Sequence, residues 1–325
     1  METVRLGSSG LEISPIVLGG MSFGEPSRGG HPWTLGLDAA RAMIRHAYEA
    51  GITAFDTADV YSLGSSEEIV GAVLGELAPR EEIAIFTKVH GRMFDGLNGA
   101  GLSRAHIMTA IDASLRRLGT DYVDLYQIHR WDPAVPIEET MEALHDVVRA
   151  GKARYIGASS MWAWQFAKAQ YTADLGGWTR FVSMQDQYNL LMREEEREML
   201  PLCLDQGVGA IPWAPLARGR LTRPAGVSTA RLQMDTLVRS YYEGLVGDAD
   251  QVVAAVAEVA AERGATPAQI ALAWVRRNPA VTAPIVGATS PGHIDDAVAS
   301  VAIDLTDAEA ARLEAGYPPM ARAWS

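Results

Sequence analysis

Residues 51–61, GITAFDTADVY, decide the fold. Ile52–Phe55 is an apolar run too short for a helix, stopped in front by Gly51 and followed by Asp56, which is how a buried strand reads. Before it, Leu37–Ala50 carries apolar residues at helical spacing and ends at Gly51. After it, Ser66–Leu77 (SEEIVGAVLGEL) predicts a second helix, with Ser66 as its cap and acids in its first turn. A strand between two helices is one turn of an alternating β–α chain.

The alternation continues in both directions. Strands are predicted at Ile16–Leu18, Ile83–Thr87 (IAIFT), Val123–Ile128 (VDLYQI), Arg154–Ile156, Phe181–Met184, Val208–Pro212 and Thr282–Val286. Helices are predicted at Ser103–Leu118, Ile137–Ala150, Met161–Ala173, Arg193–Gln206, Pro267–Arg277 and Gly292–Ser300. Eight such strands with right-handed crossovers imply a closed (β/α)8 barrel, a TIM barrel, more readily than a doubly wound sheet. A hairpin at Arg5–Ser14 and an extra helix at Asp304–Ala315, capped by Thr306, flank the barrel. No linker or composition shift divides residues 1–325, so one domain is expected. The connection Leu216–Gly247 is too long for an ordinary turn and is expected to be functional.

The 325 residues are 48% hydrophobic, enough for one large core, and the net charge of −12 argues against nucleic acid or an anionic membrane as partner. Cys203 is the single cysteine, which excludes an internal disulfide and suits a packing role in a reducing compartment. The start METVRLGSSG lacks a basic segment leading into an apolar one, and no stretch approaches the roughly 18 apolar residues of a membrane span. A cytoplasmic protein is expected, with a homo-oligomer possible in principle.

Residues just past the C-terminal ends of neighbouring barrel strands converge on one spot. Here they are Asp56, Tyr61, Lys88 and His129. Singly they read as a turn aspartate, a half-exposed tyrosine, a solvated lysine and a structural histidine; together they form a proton-transfer device. Carbonyl reduction needs a hydride donor and a proton for the developing alkoxide. Tyr61 can give that proton if its pKa falls from about 10 toward neutrality beside an ammonium. Lys88 is that ammonium, Asp56 its counter-ion, and His129 a hydrogen-bond donor that orients the carbonyl. A rival reading makes Lys88 a Schiff-base lysine of an aldolase-type barrel.

No G-x-G-x-x-G follows a strand, no H-x-x-x-H or cysteine pair offers a metal site, and no G-x-S-x-G elbow is present. A nicotinamide cofactor would therefore be held by barrel loops and helix N-termini, with Ala214–Arg220 (APLARGR) and Gly287–Asp296 (GATSPGHIDD) as candidates. Gly20 and Met21, in the glycine-rich run Gly19–Gly24, are further candidate contacts.

These residues, with the N-terminal hairpin, Thr87-Lys88, Asp121–His129 (DYVDLYQIH), Gly157–Ser160, Gln185, Trp213–Leu221 (WAPLARGRL) and Pro284–Thr289 (PIVGAT), resemble the aldo-keto reductases along nearly the whole chain. The resemblance is to the branch that holds bacterial reductases and the potassium-channel β subunits. It implies reversible reduction of a small-molecule aldehyde or ketone with NADPH or NADH, and a catalytic tetrad of Asp56, Tyr61, Lys88 and His129. It also implies that Ser159, with Ser160 beside it, and Gln185 hold the nicotinamide amide, and that Trp213 stacks on the ring. Ala214, Pro215, Leu216, Ala217, Gly219 and Arg220 would cradle the pyrophosphate; Gly287, Thr289, Ser290, His293 and Asp296 would surround the adenosine end.

Two departures bear on the cofactor. Members often place Lys or Arg near the adenosine 2′-phosphate, whereas Gly287, Ser290 and His293 stand there, and Ala297 replaces a common Asn. NADPH preference is therefore expected to be weaker than usual, with NADH plausible. Asp186 replaces another common Asn, and either adds a carboxylate near the nicotinamide or turns away into a cap. Phe23, Trp33, His90, Trp131 and Trp162 fall in loops on the catalytic face and suggest a pocket for a carbonyl on an apolar or sugar-like body. The channel-subunit likeness also raises a cofactor-sensing regulatory role.

Overall fold

The computed structural model describes residues 1–29, 31–223, 242 and 247–317. The expected long connection after Leu216 lies largely outside them. The antiparallel hairpin pairs β1 (Val4–Arg5) with β2 (Glu12–Ile13). The barrel strands are β3 (Val17–Gly19), β4 (Ala54–Asp56), β5 (Ala84–Val89), β6 (Val123–Ile128), β7 (Ala153–Ser159), β8 (Phe181–Gln185), β9 (Gly209–Ala210) and β10 (Ile285–Gly287). All pair in parallel in chain order, and β10 returns to pair with β3. The ring closes where Thr282 N–H donates to Ala210 O at 2.8 Å and Ile285 N–H to Pro212 O at 2.9 Å.

Around the sheet lie α1 (Leu37–Glu49), α2 (Ser65–Leu77), α3 (Arg104–Leu118), α4 (Ile137–Arg149), α5 (Ala163–Gly176), α6 (Met199–Gln206), α7 (Ala249–Arg263), α8 (Pro267–Arg277), α9 (Pro291–Ala299) and α10 (Asp307–Glu314). Their apolar faces and the outward strand residues form the main core. A second core fills the barrel's lower interior, where Leu6 and Ile13 of the hairpin pack with Val17, Phe86, Leu125 and Ile211. The hairpin is thus a plug, and the opposite end is left for chemistry.

Several expectations need correction. Lys88 and Asp56 lie inside β5 and β4 rather than past them, because every residue of both strands is buried and the polar ones point into the barrel mouth. Ser66 is not a cap: α2 starts at Ser65 behind Gly64, and Ser66 Oγ instead donates to Gly20 O at 2.8 Å. The helix expected from Arg193 is a 3-10 turn at Glu194–Glu196 followed by α6, which keeps Pro201 in a first turn that lacks internal N–H bonds. Helix α7 was not anticipated; Asp248 caps it by accepting from Asp250 and Gln251 N–H. Cys203 is fully buried, and burial pushes its thiol up to about 12, which suits packing.

Candidate active site

Strand register builds the centre. Asp56 on β4 pairs with Phe86, two positions before Lys88, and Lys88 pairs with Gln127 on β6, two positions before His129. Tyr61 opens the 3-10 turn Tyr61–Gly64 after β4. Lys88 Nζ lies 2.5 Å from Asp56 Oδ2, donates to Thr57 O at 2.9 Å and to the Tyr61 hydroxyl at 3.3 Å. These three partners use all three ammonium donors. The Tyr61 and His129 rings meet edge-on, centroids 5.7 Å apart. The four predicted residues are therefore gathered in one cluster.

The electrostatics differ from expectation in one respect. Burial pushes the Tyr61 phenol above its ordinary value; Lys88 pulls it back without cancelling the rise. The phenol does not approach neutrality in this state, so Tyr61 holds its proton at physiological pH. Burial also pulls on the Lys88 ammonium, but Asp56 and Tyr61 outweigh it and the net shift is upward. A lysine held charged has no lone pair to attack a carbonyl, which counts against the Schiff-base reading. Burial, then Lys88 and Arg130, hold His129 well below the ordinary histidine value, so its ring is neutral.

A second layer supports these groups. Gln127 and Gln185 each donate from Nε2 to Asp56 Oδ1 at 3.0 Å. Thr87, next to Lys88, donates to the fully buried Glu67 at 2.5 Å, and Arg117 Nε donates to the same carboxylate at 2.6 Å. Gln127 and Glu67 were not singled out from sequence; for Gln127 the signal was a polar residue in the mostly apolar run VDLYQI, whereas Glu67 lies in the polar stretch GSSEE and carried none.

A cavity of about 630 Å³ opens beside the cluster, with Asp56, Tyr61 and Gln185 in its wall. Of the cofactor candidates, Met21, Gln185, Trp213, Ala214, Pro215, Leu216, Gly219, Gly287, Thr289, His293 and Asp296 line it. The others sit behind the wall. Gly20 O accepts from Ser66, and Ser159 Oγ donates to Gln185 O at 2.7 Å. Ser160 Oγ accepts from Trp213 Nε1 at 3.1 Å and so fixes the indole. Ala217 is buried, Arg220 lies over the Tyr242 ring at 5.6 Å, and Ser290 precedes α9. Asp296 is itself held by Thr266 Oγ1 and Gln269 Nε2 at 3.0 and 2.8 Å. Arg218, inside the candidate stretch Ala214–Arg220, also lines the cavity, whereas Thr222, Arg223, Thr266 and Pro267 line it and were not named as contacts.

The loop after β9 has the backbone of a cradle. Ala214, Ala217 and Arg218 adopt φ of 50°, 49° and 55°, with Gly219 at 91°. These left-handed residues curl the loop tightly along the cavity wall, held by Ala217 N–H donating to Ala214 O and Gly219 N–H to Leu216 O, both at 2.9 Å. The cavity size, an indole wall, the cradle and two guanidinium groups fit a nicotinamide dinucleotide.

The five substrate-side candidates do not line this cavity. Phe23 packs in the core near Leu35, a correction to its loop-facing reading, because its strand-like backbone bridges to Leu35 and turns the ring inward. Trp33 stacks on His31 at 4.6 Å, and Trp131 tilts against Trp164 at 6.2 Å. Trp162 is largely exposed, and burial lowers the His90 pKa. Asp186 does not line the cavity, and burial, with Glu195 nearby, pushes its carboxyl well up. Among the described residues no His, Cys, Asp and Glu group could hold a metal, and no helix is long and apolar enough to cross a membrane.

Comparison with known sequences agrees with this architecture. A model of the aldo/keto reductase family matches residues 15–317. Versiconal hemiacetal acetate reductase of Aspergillus parasiticus is 47% identical, with 99% of this chain and 98% of that protein covered. An aldo-keto reductase of Metarhizium robertsii is 42% identical over 98% of this chain and 92% of its own length. A Saccharomyces cerevisiae protein named as a candidate aryl-alcohol dehydrogenase is 40% identical over 98% of both. These relatives are fungal; they support the family and not the bacterial and channel-subunit branch.

Proposed function

Because the chain belongs to the aldo/keto reductase family, we propose that Tyr61, Lys88, Asp56 and His129 carry out its reaction at the cavity described above. The protein is an oxidoreductase that reduces an aldehyde or ketone to an alcohol, reversibly. NAD(P)H, when bound in the cavity, would supply the hydride. Tyr61, protonated at neutral pH, gives its proton to the carbonyl oxygen. Lys88 stabilises the phenolate left behind, and Asp56 keeps Lys88 charged. Neutral His129 donates to the same oxygen and orients it. The observation that carries the reading is the fully buried Lys88, its three donors spent on Asp56, Thr57 and Tyr61 at the edge of the cavity.

NADPH is the cofactor we assign, with NADH as the alternative. The expected 2′-phosphate neighbourhood at Gly287 and His293 lacks lysine and arginine, but Arg218 and Arg223 supply cations to the same cavity. An extended apolar or aromatic carbonyl suits the exposed indoles of Trp162 and Trp164 and the half-buried indole of Trp131, and the names of the relatives point the same way.

Fluorescence titration with NADPH and NADH, then a carbonyl panel, tests this. Tyr61→Phe should lower reduction by about 10²–10⁴-fold, the contribution of a general acid, with cofactor affinity nearly unchanged. Most activity surviving in that variant would remove Tyr61 as the acid. Arg223→Ala should weaken NADPH more than NADH; equal losses would place the 2′-phosphate elsewhere.

A further inference from the structure

We propose that Gln127, buried behind the cavity wall, is a positioning residue that fixes which atom of Gln185 faces the nicotinamide. The inference rests on Gln185 being the nicotinamide contact. The orientation follows from hydrogen-bond bookkeeping. Asp56 Oδ2 takes the Lys88 ammonium, and Oδ1 can only accept. Gln127 and Gln185 must therefore both turn Nε2 toward Oδ1, which they do at 3.0 Å. That leaves Gln127 Oε1 as an acceptor, and the second N–H of Gln185 goes to it, also at 3.0 Å. Both donors of Gln185 are then spent. Only its Oε1 is left to face the cavity that Gln185 lines.

An acceptor there selects a donor. It recognises the N–H of a carboxamide and offers nothing to a ring substituent without one. All three side chains are almost fully buried and Gln127 lies outside the cavity wall, so a bond lost on its side is not readily restored by water. The fold makes room for the arrangement at Gly157, which pairs with Gln127 across β6 and β7. A Cβ at residue 157 would lie 3.2 Å from Gln127 Cγ and 2.2 Å from Ser183 Oγ. Without Gln127, Gln185 keeps one N–H on Asp56 Oδ1, but its second N–H loses its acceptor and can turn to the cavity beside Oε1, so the preference for a carboxamide weakens through a residue outside the cavity wall.

The test uses the full-length protein and three probes: NADPH, its 3-acetylpyridine analogue, in which a methyl group replaces the carboxamide NH2, and 2′-phospho-ADP-ribose, which has no nicotinamide. Wild type should bind NADPH on the order of tenfold more tightly than the acetylpyridine analogue, about one buried hydrogen bond. Gln127→Met, close in volume and without the amide, should shrink that ratio several-fold and leave 2′-phospho-ADP-ribose binding unchanged. A structural defect alone would weaken all three together. Equal wild-type affinity for NADPH and the acetylpyridine analogue would overturn the inference, and this comparison needs no folded variant. A ratio unchanged in Gln127→Met would overturn it as well while leaving the NADPH assignment standing. Failure of wild type to bind any of the three would remove the functional reading itself, and this inference with it.

Discussion

Tyr61 and His129 carry opposite pKa shifts, and together they set a pH profile. Reduction needs the phenol protonated and the imidazole neutral. Burial raises the first above about 10 and lowers the second well below 6.5, so both conditions hold across neutral pH. The rate of carbonyl reduction should be flat from about pH 6.5 to 9 and fall only at more alkaline pH, as Tyr61 loses its proton. Alcohol oxidation needs the phenolate and should rise over that same alkaline range. A pH–kcat/KM profile in both directions checks this, and a reduction limb falling with a midpoint near 7 would contradict it. The identities of these residues were legible because each ends or follows a short apolar run. Their protonation was not legible, since it depends on depth of burial. Gln127 was missed for the same reason: within VDLYQI only its place beside Asp56 gives the amide a role.

At the scale of elements, the turn that carries Tyr61 is the most demanding piece. Ser62 and Leu63 have φ of 48° and 47°, a conformation that costs of order 1 kcal/mol or more per non-glycine residue. Just after the turn, Glu67 of α2 accepts from Thr87 of β5 and Arg117 of α3. Gly64 completes the turn at φ 88°, where a Cβ would lie 2.5 Å from Arg117 Cδ. Gly64→Ala should therefore destabilise the protein by about 1–3 kcal/mol and reduce kcat while changing NADPH affinity little. Thermal melts and cofactor titration separate these effects, and a variant of wild-type stability would show that the turn is not under tension. Helix signals in the sequence were reliable where a cap and a stop coincided, as at Ser103 and Gly119 around α3. They failed at Ser66, whose hydroxyl is claimed by Gly20 from a distant segment, and at α7, where Ala-rich spacing hid a regular pattern of Val252, Val256 and Val259.

For the whole molecule, the barrel divides its tasks between its ends. The mouth holds the cation, the phenol and the cavity; the base holds the plug. Leu6→Ala should cost about 2–5 kcal/mol, as a fully buried leucine does, and leave kcat/KM for any accepted carbonyl unchanged. Denaturant melts with matched kinetics would check the separation, and a large loss of activity in a still-folded variant would show that the ends communicate. The eightfold alternation was legible because the strands read as short, mostly apolar runs, whereas the long segment after β9 offered no period to read. The plug also has a temporal consequence. Ser8 N–H donates to Gly207 O at 2.8 Å, and Gly7 N–H reaches Thr282 Oγ1 at 3.5 Å across 275 positions of sequence. The hairpin therefore waits for segments translated 199 and 275 positions later before its own contacts exist. Until then the lower core lacks part of its packing, and contacts of such long sequence separation slow folding.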